Sequence, residues 1–113
     1  MSSDERDEQR KLRLARNEAL FREVNERVEE ISERAGLDTI DFICECGDAD
    51  CTMPISLTGP EYEGIRSDPV LFAIVPGHAI PEVEDVVTEG DRFQVVRKHA
   101  EEQQIARATD PRE

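Results

Sequence analysis

Phe42-Ile43-Cys44-Glu45-Cys46-Gly47-Asp48-Ala49-Asp50-Cys51 holds all three cysteines of a 113-residue chain. Three thiols spaced C-x-C-x4-C, with no secretion signal ahead of them, read as metal ligands rather than as disulfide partners. The fourth ligand is expected to be His78, in the turn Pro76-Gly77-His78. A Cys3His set suits zinc, which takes thiolate sulfur at about 2.3 Å and imidazole nitrogen at about 2.0 Å in a closed tetrahedron. The stretch therefore implies a small fold organised around a Zn2+ ion.

Working outward, Ile40, Phe42, Cys44 and Cys46 alternate with Asp41, Ile43 and Glu45, the period of a strand with both thiols on one face. An ideal strand would hold alternate residues about 7 Å apart, too far for one tetrahedral ion, so a bend is expected at Gly47. Asp48-Ala49-Asp50 would then turn Cys51 back to the same side. Met53, Ile55 and Leu57 form a second strand with Pro54 near its edge. Thr58 and Glu61 fit a capping box opening a helix from Pro60 to Ser67, with Tyr62 and Ile65 inward and Asp68-Pro69 as its stop. Val70 to Val75 is apolar on both faces, as a central buried strand would be, and it delivers His78 to the cysteines. Val83 to Val96 reads as a hairpin around Glu89-Gly90-Asp91, with a helical turn at Glu82–Val87 as the alternative.

Upstream, a capping box at Ser2 and Glu5 opens a long helix that closes at Gly36. Leu14, Phe21, Val24, Val28, Ile31 and Ala35 fall at heptad spacing, either a seam for self-association or partner binding, or an inward packing face. Lys98 onward is polar and is expected to be a frayed helical tail. The fold class is thus α+β: an amphipathic helix over residues 1–37, a small zinc-stabilised β-sheet domain with one short helix over 38–98, and a polar tail over 99–113.

With 37% hydrophobic residues, four Phe, one Tyr and no Trp, the core is small, which is where a metal contributes most. Net charge is −13, and residues 41–113 carry 16 acids against 6 bases, so nucleic acid is not expected as a ligand of this part, affinity there resting on cations at phosphates. Arg10-Lys11-Leu12-Arg13-Leu14-Ala15-Arg16 is a local basic exception, expected to be a solvated helix face. No signal peptide or membrane span is recognisable, and reduced thiols suit a cytoplasmic location.

The elements Asn17-Glu18…Phe21-Arg22-Glu23-Val24-Asn25-Glu26, Cys44-Glu45-Cys46…Cys51, Glu61-Tyr62-Glu63…Arg66 and Phe72-Ala73-Ile74-Val75-Pro76-Gly77-His78 resemble those of a group of short uncharacterised bacterial proteins. The likeness runs from about Arg16 to Lys98. It implies a bacterial cytosolic protein with a metal site and brings no assigned activity.

Two other readings of the cysteines exist. As apolar fillers they would sit badly beside Glu45, Asp48 and Asp50. As a redox sensor they would need a low-pKa thiol, and no Lys or Arg is near them in sequence. Iron clusters usually take four thiolates, and only three exist here. Should His78 be out of reach, Asp48 or Asp50 could substitute, and His99 is a poorer rival. Neither H-E-x-x-H nor H-x-E…P-C-x-x-C is present, and a Cys3His shell leaves no open coordination position. The sequence therefore points to a non-catalytic zinc-binding module mediating protein–protein interaction, its partner a protein met through the N-terminal helix or a second copy of the chain. A thiol redox sensor is the alternative, with a metal-dependent enzyme behind it.

Overall fold

The structure is a computed structural model that describes residues 3–112, so the Ser2 half of the first capping box lies outside the described residues. Helix α1 (Ser3–Arg34) is 32 residues long, about 48 Å at 1.5 Å per residue, and accounts for the longest dimension of a 51 × 30 × 23 Å molecule. It stops at Gly36, whose φ of +75° permits Gly36 N and Leu37 N to satisfy the carbonyls of Glu33 and Ser32. That paired arrangement is a Schellman motif.

Strands β1 (Thr39–Ile43) and β2 (Pro54–Thr58) pair antiparallel, with Ile40 opposite Leu57 and Phe42 opposite Ile55. Pro54 closes the ladder at its end, where a missing N–H costs nothing. Helix α2 (Gly59–Arg66) follows, and both halves of its capping box form: Thr58 Oγ1 accepts from Glu61 N, and Glu61 Oε1 accepts from Thr58 N. Tyr62 and Ile65 face inward as expected, Tyr62 stacking on Phe42 at 4.3 Å between ring centroids.

The second sheet holds β3 (Leu71–Ile74), β4 (Glu84–Glu89) and β5 (Gln94–Lys98) in the order β3-β5-β4, all antiparallel, with a bulge between Val86 and Thr88. The hairpin reading of this region therefore holds. β3 is buried on both faces: Phe72 and Ile74 join Val70, Val96 and the cysteines, and Ala73 joins Ile40, Phe42, Leu57 and Tyr62. It is not the central strand, however. β5 is central, and the outer edge of β3 is covered by the cysteine segment, where Glu45 N donates to Ala73 O at 2.8 Å and Ala73 N donates to Glu45 Oε1 at 3.0 Å. One residue thus imitates a strand by lending its side chain to the ladder.

Two further expectations are corrected. The heptad seam is not the inward face of α1: Ala15, Glu18, Arg22, Asn25 and Glu29 are buried, whereas Val24, Ile31 and Ala35 are exposed and Leu14, Phe21 and Val28 lie half-buried at the margin. The inward stripe is polar because α1 docks by hydrogen bonds. Arg22 donates to Pro69 O at 2.6 Å and Ala106 O at 2.7 Å and lies 4.6 Å over the Phe72 ring, and Asn25 both donates to Ile43 O and accepts from Ile43 N. Nor does the tail fray. Residues after Lys98 form α3 (Ala100–Ala108), with Ala106 buried against the second core cluster. Beyond it, Asp110 pairs with the buried Arg66, and Arg112 bridges Glu26, Glu29 and Glu63.

Candidate metal centre

β1 carries the first cysteine to the site. Its pairing ends at Ile43, the chain takes one more ladder bond from Cys44 N to Met53 O at 2.8 Å, and then it bends away. At the bend Gly47 lies against α1: a Cβ there would come within 2.8 Å of Leu14 Cδ2 and 3.1 Å of the Leu14 Cα. Asn17 Nδ2 fastens the same residue by donating to Gly47 O at 2.9 Å. Asp48 makes the turn, its carboxylate accepting from Asp50 N at 2.9 Å and its carbonyl from Cys51 N at 3.1 Å. Both aspartates are exposed, and neither belongs to the group of converging ligand atoms.

From the other side, β3 ends at Ile74 and Gly77, at φ +90°, turns the chain so that His78 faces back. The ligand atoms of Cys44, Cys46, Cys51 and His78 all lie within 4.8 Å of one another, and this group could hold a metal ion. His78 Nδ1 is 3.6 Å from both Cys44 Sγ and Cys51 Sγ. A tetrahedral ion with the bond lengths above would set sulfur and nitrogen about 3.5 Å apart and two sulfurs about 3.8 Å apart. The two sulfur–nitrogen separations of 3.6 Å fit that cage. His99 is elsewhere, pairing with Asp85 at 3.3 Å and starting α3.

The surroundings of the sulfurs match thiolate ligation. Val75 N donates to Cys44 Sγ at 3.2 Å, and the amides of Cys46, Asp48 and Met53 reach the sulfurs of Cys44, Cys46 and Cys51, each from two residues further on. Such N–H donors orient a thiolate and offset its charge. Hydrogen bonding from Cys46 and these amides pulls the Cys44 thiol down, and its counterpart pushes Cys46 up; burial pushes Cys51 up. All three thiols are free, and the most accessible, Cys51, is only 8% exposed.

Glu45, placed by sequence alternation on the opposite face from the thiols, is completely buried. Asn25 Nδ2 and Tyr62 Oη each donate to its Oε2 at 2.9 Å, and burial still holds its pKa above the ordinary carboxylate range. Its role could not be read from the alternation, because the partners come from α1, α2 and β3. A cleft of about 490 Å³ adjoins the cluster, lined by Arg10, Arg13, Leu14 and Asn17 of α1 and by Cys46 and His78, so the site meets solvent beneath the helix. Among the described residues no helix is long and apolar enough to cross a membrane. No protein-family model, curated protein or solved structure matches the chain.

Proposed function

We propose that the chain is a non-catalytic zinc-binding module that mediates protein–protein interaction through α1. The observation that carries the metal half is the convergence of three buried sulfurs and one imidazole nitrogen within 4.8 Å, each sulfur supplied with amide donors. Three thiolates with one histidine favour zinc over harder cations, and four protein ligands fill a tetrahedron, leaving no place for water or substrate. For a thiol sensor the burial is unfavourable, since oxidant must reach the sulfur.

The interaction half rests on α1, whose outward side keeps Leu20, Val24 and Ile31 exposed while its inward side is committed to the core. Cobalt substitution tests the closed shell. The Co2+ protein should show tetrahedral d–d absorption that added azide leaves unchanged; a spectral shift on azide would reveal an open coordination position and favour the enzyme reading instead.

A further inference from the structure

Glu102, in the first turn of α3, is a buried carboxylate that lacks a full set of partners. The residue is 4% exposed, and no hydrogen bond reaches its Oε2. A carboxylate oxygen withdrawn from water without a donor is costly, and nothing in the chain offsets that cost at Oε2. Glu102 lines two clefts between α1 and α3, about 280 Å³ each, which share Lys11, Glu101 and Glu102. In the first, Glu8 and Leu12 of α1 stand across from Ile105 of α3. The second is closed by Glu82 and His99, which are already taken up by Arg10 and Asp85. Glu8, Lys11, Glu101 and Glu102 make no ion pair among the described residues.

We propose that these clefts bind a linear aliphatic diamine or triamine, with one ammonium on Glu102, a second on Glu101 or Glu8, and the methylenes laid over Leu12 and Ile105. Charge favours a cation here. Three unpaired acids stand against the single base Lys11, in a chain whose net charge is −13. The acids are also dispersed: no three of them converge as the sulfurs and imidazole of the metal centre do, so they do not form the cage that one metal ion would need. Separate ammonium groups joined by an alkyl spacer match separate carboxylates joined by an apolar wall. Leu12 is 37% exposed, and methylenes lying on it would remove that surface from water. An ammonium brings three donors, and a charge-assisted hydrogen bond is the kind that Glu102 lacks. This site shares no residue with the metal centre, and it rests neither on the zinc assignment nor on the outward side of α1 as a contact element.

Titration calorimetry of the full chain with 1,4-diaminobutane, spermidine and the monoamine butylamine tests this. Both polyamines should saturate a single site, and butylamine should bind about tenfold or more weakly because it makes only one of the two ion pairs. Glu102→Gln keeps the shape and removes the charge, so diamine affinity should fall about tenfold or more. The same variant should melt no lower than wild type without amine, a buried unpaired charge having been removed, and should lose the rise in melting temperature that the amine gives the wild-type chain. Lys11→Ala, which takes away the opposing cation, should tighten binding. Metal content should stay at the wild-type level in both variants, which separates this site from the metal reading. Binding that never saturates and that Glu102→Gln leaves unchanged would be diffuse attraction to an acidic surface, and would overturn the proposal. Blocked lysine, N-acetyl-lysine amide, binding as tightly as the diamine would also overturn it and assign the cleft to a lysine side chain of a partner protein.

Discussion

Cys44, Cys46, Cys51 and His78 converge because two residues without side chains shape the approach. Gly77 supplies a left-handed turn, and Gly47 lets Leu14 of α1 sit directly on the bend. At Gly47 the obstacle to any larger residue is helix backbone as well as a flexible tip, so Gly47→Val should force α1 and the loop apart. Thermal denaturation and metal retention should both fall, whereas Gly64→Ala, with open space around it, should be close to neutral or slightly stabilising. Replacing Cys44 or Cys46 with Ser should cost most of the metal affinity by removing a thiolate. His78→Ala should cost less, water being able to complete the shell; competition against a chelator of known affinity would rank the three. Glu45→Ala would strand the donors of Asn25, Tyr62 and Ala73 in the interior, a loss of roughly 3 kcal/mol or more measurable by urea unfolding.

At the scale of elements, the strands and α2 were legible because each uses a local rule: alternation in Ile40-Phe42-Cys44, a capping box at Thr58 and Glu61, an apolar run at Val70 to Val75. The inward face of α1 was not. Its stripe Glu18, Arg22, Asn25 and Glu29 contacts backbone ends and charges contributed by residues far along the chain, and periodicity counts only apolar side chains. For the same reason the docking of α3 was invisible although the tail read as helical: it depends on Arg22 reaching Ala106 O and on Arg66 pairing with Asp110 just beyond the helix.

The buried Glu18–Lys98–Glu84 cluster that joins α1 to the second sheet makes a pH prediction. Burial, and Glu84 sharing the same ammonium, push Glu18 up to about 8 from an ordinary value near 4.5, against the pull of Lys98. A carboxyl whose folded pKa is raised contributes stability that is fully present below its unfolded value and is lost as pH rises through the folded one. Stability from this group should therefore decline between about pH 4.5 and 8. Glu18→Gln should flatten that part of the curve in denaturant titrations of the metal-loaded protein; an unchanged slope would place the pH dependence elsewhere.

Over the whole molecule, two small clusters of buried apolar residues flank β3, and the sulfurs belong to one of them. Loss of metal would leave three adjacent thiols and an imidazole at the point where β1, β3 and α1 meet. Chelation should accordingly loosen the Gly47 loop and the start of α1 together, detectable as faster amide exchange at Asn17 and Gly47, while the β4–β5 hairpin stays protected. The measurement that bears most directly on the zinc assignment is the metal-to-protein ratio of wild-type chain purified without chelator, taken with a thiol titration before and after chelation. About one zinc per chain, with all three cysteines protected until the metal is removed, is the expected result. A ratio near zero, with all three thiols reacting freely from the start, would contradict it.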